Sequence, residues 1–118
     1  MVRTVGAVRE ELEVDGLLLR YRTADGLDGS EGAFVACTFW LAECLARQGQ
    51  TSLATAAFAR ASATGNDLGL FAEEFDPVTG QLLGNFPQAL THLSHISAAV
   101  ALQETASGGP AGSAVARR

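Results

Sequence analysis

Apolar residues recur at helical spacing in four parts of the chain, and the intervals between these parts are rich in glycine and polar residues. Because residues three and four positions apart share one face of a helix, the pattern predicts helices over residues 4–12, 32–47, 52–64 and 87–106. The last helix carries an apolar stripe along one side, formed by Ala89, Leu93, Ile96 and Val100. The sequence therefore predicts an all-α protein.

The second and third predicted helices differ in polarity. From residue 33 to residue 42 only Thr38 is polar, and a helix that is apolar all round must be covered on both sides. The helix over 52–64 is amphipathic and rich in alanine, with Thr51 as its predicted cap. This alternation of an inner and an outer helix predicts an arc of about four helices cut from a larger helical array.

The segments between the helices predict a small hairpin and several turns. Residues 68–75 are predicted to be extended, the turn at 76–80 has Pro77 at its favoured second position, and residues 81–86 return as the second arm. Residues 17–21 form another extended segment, and Asp28 and Glu31 after it have the spacing of a capping box. Pro87 is the predicted first residue of the last helix, and residues 107–118 are predicted to be a disordered tail.

The length and composition indicate a globular chain that forms at most one domain or part of one. Of the 118 residues, 47% are hydrophobic and 18% are charged, which is too apolar for a wholly disordered chain. The net charge is −5, and the 8 basic residues are scattered arginines. An acidic protein of this kind lacks the basic patch that binds phosphate groups, so we expect neither a nucleic acid nor a membrane as partner.

The cysteines and the N-terminus predict a cytoplasmic location. Cys37 and Cys44 fall on one predicted helix, about 10.5 Å apart along its axis, which is too far for a disulfide. The apolar run at the N-terminus is short and is broken by Arg9 and Glu10, unlike a signal peptide. No stretch is long and apolar enough to predict a membrane span.

Glu73 and Glu74 are the sharpest candidates for chemistry, because they stand in an apolar segment where charge is costly. Adjacent side chains of an extended segment point to opposite faces, so only one of the two can enter a pocket. Glu73 shares its predicted face with Phe71 and Phe75, which makes Glu73 the candidate general base. The alternative is that both glutamates are solvated residues of the hairpin.

Arg20 and Tyr21 end an extended segment just before a glycine-rich loop. A planar, donor-rich guanidinium at such a place can bind sugar hydroxyls or a carboxylate. The alternative for Arg20 is a salt bridge at the surface. Glu31 is interpreted as a helix cap, with contact to a ligand as its alternative.

His92 and His95 are about one helical turn apart, as two ligands of one metal ion can be. No third ligand stands at a recognisable spacing, so we interpret both as packing or hydrogen-bonding residues and expect no metal. The glycines belong to turns and caps rather than to a phosphate-binding loop, so no cofactor is expected. Other residues are interpreted as core: Phe34, Cys37, Phe39, Trp40 and Cys44.

Several motifs together resemble glycoside hydrolase family 15, which contains the glucoamylases and the bacterial trehalase-like enzymes. They are NDLGLFAEEFDP at 66–77, GNFPQA at 84–89 followed by His92, the pair Arg20 and Tyr21, DGSEGAF at 28–34 and CTFWL at 37–41. The motifs occur in the order of the family, and the resemblance covers residues 8–102.

The resemblance implies an (α/α)6 barrel, in which inner helices pack a core and their connecting loops build the pocket. It also implies inversion of configuration by an acidic and a basic carboxyl group that leave room for a water molecule between them. The base of the family lies in an Ala-Glu-Glu or Ala-Glu-Gln segment, which matches Glu73 because the glucoamylases carry glutamine at the second position. The substrate-contacting arginine of the family matches Arg20, with Tyr21 beside it.

The resemblance covers only the C-terminal part of that barrel, because the general acid of the family and most of its helices lie upstream. Residues 1–106 are therefore expected to be a fragment of an α-glucosidic hydrolase that acts on trehalose or maltooligosaccharides. Its expected partners are that substrate and either the missing part of the barrel or a second copy of the chain. A non-catalytic helical module of the same fold and an inactive remnant are the alternatives. The isolated fragment should expose a large apolar patch.

Overall fold

The computed structural model describes residues 2–19 and 32–106. Within these residues the helices are α1 (Val2–Leu12), α2 (Val35–Arg47), α3 (Thr51–Ser62) and α4 (Ala89–Ala106). The strands are β1 (Glu13–Val14), β2 (Leu17–Leu18), β3 (Ala33–Phe34), β4 (Glu74–Phe75) and β5 (Leu82–Leu83). A mostly helical chain with a small hairpin between α3 and α4 confirms the predicted fold class and is consistent with part of a helical barrel.

Helix α2 lies at the centre of the fold. It packs against α3 on one side and α4 on another, and its side chains Val35, Phe39 and Leu45 are almost completely buried. Along α3, only Ala54 and Ala61 are buried. The predicted inner position of α2 and outer position of α3 are confirmed.

The first hairpin covers a further side of α2. Strands β1 and β2 pair antiparallel around a turn in which Asp15 and Gly16 both have positive φ, as a tight hairpin turn requires. The N–H of Leu18 donates to the buried Oγ1 of Thr38 at 2.9 Å. Thr38 is therefore the polar residue in an otherwise apolar stretch of α2 because it holds strand β2.

Helices α2 and α4 begin at the same end of the molecule. The N–H of Val35, the first residue of α2, donates to the carbonyl oxygen of Glu73. The N–H of Gln88, which directly precedes α4, donates to the carbonyl oxygen of Phe71. Residues 71–73 therefore lie across the N-terminal ends of both helices, next to the antiparallel sheet β3–β4–β5.

Several predicted boundaries are wrong. Helix α1 begins at Val2 rather than at residue 4, and α3 ends at Ser62 rather than at residue 64. Helix α2 begins at Val35 rather than at residue 32, because residues 33 and 34 pair with β4 instead. Thr51 is already helical, and Gln50 occupies the cap position of α3. Helix α4 begins at Ala89 rather than at Pro87, since the N–H of Gln88 between them is bound to the loop before β4.

Two further predictions fall outside the described residues. They concern the capping box of Asp28 and Glu31 and the disordered tail at 107–118. The cap position of α2 itself is occupied by Phe34, which has extended backbone.

The apolar stripe of the last helix faces away from the fold. We call this set the outer side of α4: Ala89, Leu93, Ile96 and Val100 are all exposed. The helix instead buries Thr91, Ser94, Ala98 and Ala101, because small side chains allow a close approach to α2. Trp40, predicted as core, is likewise 42% exposed. Even with this apolar side, none of the described helices is long and apolar enough to cross a membrane.

Candidate active site

Glu73 lies in a bend just before strand β4. Its N–H donates to the carbonyl oxygen of Asn85 at 2.8 Å, and its carbonyl oxygen accepts from the N–H of Val35 at 3.1 Å. The first bond comes from the connection between β5 and α4, and the second from the start of α2. The backbone of Glu73 is therefore fixed by two separate parts of the chain.

The carboxylate of Glu73 is held by the same connection. Its Oε1 accepts a hydrogen bond from the N–H of Asn85 at 3.1 Å. Gly84 has a φ of +75°, and a Cβ at that position would lie 2.6 Å from Oε1 of Glu73. Because glycine alone tolerates both this φ and this proximity, the position of the carboxylate depends on Gly84.

Helix α4 binds the two residues that precede Glu73. The N–H of Gln88 donates to the carbonyl oxygen of Phe71 at 3.0 Å, and Oγ1 of Thr91 donates to the carbonyl oxygen of Ala72 at 3.1 Å. The N–H of Phe71 in turn donates to Nε2 of His92 at 3.2 Å. The start of α4 and the residue before it therefore provide the hydrogen-bond partners of this segment, as a neighbouring strand would in a sheet.

The two helix ends shape the electrostatic environment of the site. The N-terminus of a helix presents unpaired N–H groups and carries about half of a positive elementary charge. Both α2 and α4 direct this end toward residues 71–73. The carbonyl oxygens of Phe71 and Glu73, which carry partial negative charge, accept hydrogen bonds at these two ends.

Glu74 lies within strand β4, where it pairs with Phe34 of β3 and with Leu83 of β5. Directly paired residues of an antiparallel sheet project to the same face, so these three side chains form a row. The ring of Trp40 packs edge-on against Phe34, with 6.4 Å between the ring centroids. Glu73 and Glu74 are both half-buried, and their chemical roles stay predictions, as does the alternative of a solvated hairpin.

The turn of the hairpin is stabilised by Asp76. Its Oδ1 accepts from the N–H of Val78 at 2.9 Å and from the N–H of Thr79 at 3.4 Å. The hydrogen bond from Val78 is the main reason why the pKa of this exposed carboxyl lies below its ordinary value of 3.8. The turn of the hairpin that follows Glu73 is therefore stabilised by hydrogen bonds within the turn itself.

The predicted substrate-binding residues Arg20 and Tyr21 lie outside the described residues, as does Glu31. Leu19, the last described residue before them, bridges to Ala33. Ala33 pairs with Phe75, which lies two residues after Glu73.

His95 packs among aromatic rings. Its ring is stacked on Phe58 at a centroid distance of 5.2 Å, and it also contacts Phe39 and Phe71. Burial is the main reason why the pKa of His95 lies below 6.5. In the parts of the chain at 2–19 and 32–106, no three His, Cys, Asp or Glu side chains converge as metal ligands do.

Two residues that hold the carboxylate, Gly84 and Asn85, were not assigned to the site from the sequence. His92 was interpreted as a packing or hydrogen-bonding residue, and it holds the segment before Glu73 through a hydrogen bond. Each of the three contacts a residue that is distant in the sequence, and such a contact leaves no periodic pattern. The sequence did contain one indication of their importance, because they belong to the motif formed by residues 84–89 and His92.

The comparisons with known proteins place the chain in a family. The model of the glycosyl hydrolases family 15 matches residues 1–100, and the chain belongs to that family. A trehalase of Mycolicibacterium smegmatis is 50% identical over 100 residues, which cover 82% of this chain and 15% of the relative. A trehalase of Mycobacterium tuberculosis is 48% identical over 100 residues, with the same two shares of 82% and 15%.

A third relative is similar over a comparable length. A trehalase of Thermoplasma acidophilum is 46% identical over 104 residues, which cover 87% of this chain and 18% of the relative. The chain therefore spans less than a fifth of the length of these curated relatives. No solved structure matches the chain significantly.

Proposed function

We propose that this chain contributes the general base, Glu73, to an inverting hydrolase of α-glucosidic bonds. In this proposal residues 1–106 form one part of an (α/α)6 barrel, and the general acid comes from polypeptide outside them. Trehalose is the proposed substrate, because the compared relatives are trehalases. Maltooligosaccharides, the substrates of glucoamylases, are the second choice.

The observation that carries the proposal is the fixed carboxylate of Glu73. An inverting enzyme needs a base that holds a water molecule on the sugar face opposite the leaving group. The carboxyl groups of the base and the acid are about 6.5–9.5 Å apart, which leaves room for this water. Asn85 and Val35 fix the backbone of Glu73, and the N–H of Asn85 also holds Oε1. The carboxylate is therefore oriented before a substrate binds, which is the condition for efficient positioning.

The proposed reaction uses each group once. The carboxylate of Glu73 removes a proton from the water as its oxygen attacks the anomeric carbon, and the general acid protonates the departing glycosidic oxygen. Arg20 and Tyr21 are proposed to bind sugar hydroxyls. The bridge between Leu19 and Ala33 supports this, because it brings the chain just before Arg20 to the sheet that contains β4.

The outer side of α4 supports the proposed assembly with further helices. Leu93 and Ile96 are 63% and 57% exposed there, and soluble monomers rarely expose contiguous apolar side chains of this size. The same surface also favours the second candidate function, a non-catalytic helical module that binds a protein partner or a second copy of the chain.

A chimera tests the proposal. In it this chain replaces the matching segment of the M. smegmatis trehalase, and hydrolysis of trehalose and maltose is followed by NMR of the product anomers. Glu73→Gln keeps the shape of the side chain and removes its basicity, so kcat should fall by about 10²–10⁴-fold with little change in KM. Glu74→Gln is the matched control and should be nearly silent, since this side chain lies in the row of Phe34 and Leu83.

Three results would count against the proposal. If Glu74→Gln is the inactive variant and Glu73→Gln the active one, the assignment of the base is wrong. If both variants are active, the base lies elsewhere and the non-catalytic module is favoured. Release of glucose from trehalose or maltose by the purified chain alone would show that it contains its own general acid.

A further inference from the structure

His92 makes two hydrogen bonds that together determine its tautomer. Its Nδ1 lies 2.7 Å from the carbonyl oxygen of Gln88, and a carbonyl oxygen can only accept, so Nδ1 carries a proton. Its Nε2 lies 3.2 Å from the backbone nitrogen of Phe71, whose N–H can only donate, so Nε2 is the acceptor. Both bonds form only with the neutral imidazole that is protonated at Nδ1.

The bond to Phe71 acts on the segment that carries Glu73. The ring of Phe71 is 5% exposed and packs edge-on against Phe39, with 5.3 Å between the ring centroids. The ring of His92 contacts the same Phe71 ring at 5.3 Å. Phe71 is thus fixed by its side chain in the core and by its N–H on α4, two residues before Glu73.

We propose that His92 is a positioning residue for Glu73. Gln88 orients the imidazole through Nδ1, and Nε2 then holds the N–H of Phe71, so that the backbone enters the bend at Glu73 from a fixed point. Thr91 supplies the next bond along the segment, to the carbonyl oxygen of Ala72. This inference rests on the proposed role of Glu73 as general base.

The expected effect follows from the loss of the acceptor. Without Nε2 the N–H of Phe71 loses its partner in a partly buried site, and the backbone shifts to find another. A displacement of about 1 Å at a catalytic group lowers the rate by up to about 100-fold. We expect the effect in kcat rather than in KM, because a positioning residue acts on the base and not on the bound sugar.

The test uses the chimera with three variants. His92→Leu removes the acceptor, whereas His92→Gln places an amide oxygen near the position of Nε2. His95→Phe is the matched control on the same helix, since it keeps the ring contacts with Phe58 and Phe39. We expect His92→Leu to lower kcat by about 10–100-fold with KM changed less than about twofold, His92→Gln to restore most of that loss, and His95→Phe to keep the original kcat.

A second measurement does not depend on how the variants fold. Long-range proton–nitrogen correlations of the histidine-labelled chimera report which imidazole nitrogen of His92 carries the proton. A proton on Nδ1 supports the inference, and a proton on Nε2 overturns it.

The kinetic outcomes separate this inference from the proposed function. If Glu73→Gln keeps the original kcat, the proposed function is wrong and this inference is overturned with it. If Glu73→Gln is inactive while His92→Leu keeps the original kcat, or while His92→Gln is as impaired as His92→Leu, only the positioning role is overturned.

Discussion

Residues 71–73 and the outer side of α4 lie close together in the sequence. They differ in whether the chain itself supplies the partners that their polar groups or apolar side chains require. The backbone of residues 71–73 is bound to α2, to α4 and to the β5–α4 connection by hydrogen bonds of 2.8–3.2 Å. On the outer side of α4, by contrast, Leu93, Ile96 and Val100 are 45–63% exposed.

The difference reflects two kinds of interaction. Hydrogen bonds are directional and need one partner each, so a short stretch of chain can supply them all. Burial of apolar side chains scales with area and needs an opposing surface of similar size. The chain therefore fixes the candidate base by itself, whereas the described residues supply no opposing surface for the outer side of α4.

The largest expected effect comes from charging the outer side of α4. In the chimera, the double variant Leu93→Asp, Ile96→Asp removes two apolar side chains that we propose are buried against neighbouring helices. Each such burial is worth about 1.5–3 kcal/mol, so the free energy of unfolding should fall by about 3–6 kcal/mol. Urea denaturation measures the loss.

The control is Leu53→Asp on α3, where the side chain is 42% exposed on the outer layer. This variant should cost less than about 1 kcal/mol, because surface substitutions usually have small effects. In the isolated chain the double variant should increase the fraction of monomer in sedimentation experiments. Equal destabilisation by Leu53→Asp and by the double variant would contradict the proposed assembly surface.

The sequence predicted some of these features better than others, for physical reasons. An uninterrupted apolar run has no solvent face, so α2 could be placed inside without knowledge of its neighbours. The orientation of α4 could not be predicted in the same way, because its buried side consists of small residues such as Ser94 and Ala98 that fit the surface of α2. Glu73 was found from its motif, whereas the contribution of Gly84 depends on a contact across the hairpin.

A smaller effect, on kcat, is expected from substitution of Gly84, because Gly84 lies against the carboxylate of Glu73. Gly84 and Gly80 have nearly the same φ, +75° and +77°, so alanine at either position costs about 1–2 kcal/mol of stability. Only at Gly84 does the new Cβ meet the carboxylate of Glu73, whereas a Cβ at Gly80 has no neighbour within 4 Å. In the chimera, Gly84→Ala should therefore lower kcat by about tenfold or more, and Gly80→Ala should leave kcat unchanged.

The smallest expected effect is a pH dependence of stability that comes from His95, on the buried side of α4. Its pKa in the folded protein lies below 6.5, mainly because of burial, so the unfolded chain binds a proton more readily than the folded one. The contribution of His95 to stability is therefore fully present above pH 6.5 and is lost as the pH falls from there through its folded pKa. Urea denaturation of the chimera at about pH 7.5 and about pH 5 should show this loss, and His95→Phe, which keeps the ring contacts without the titratable group, should reduce it. If the two proteins lose the same stability between these pH values, the pH dependence comes from other groups, and the aromatic cluster does not disfavour the charged imidazole.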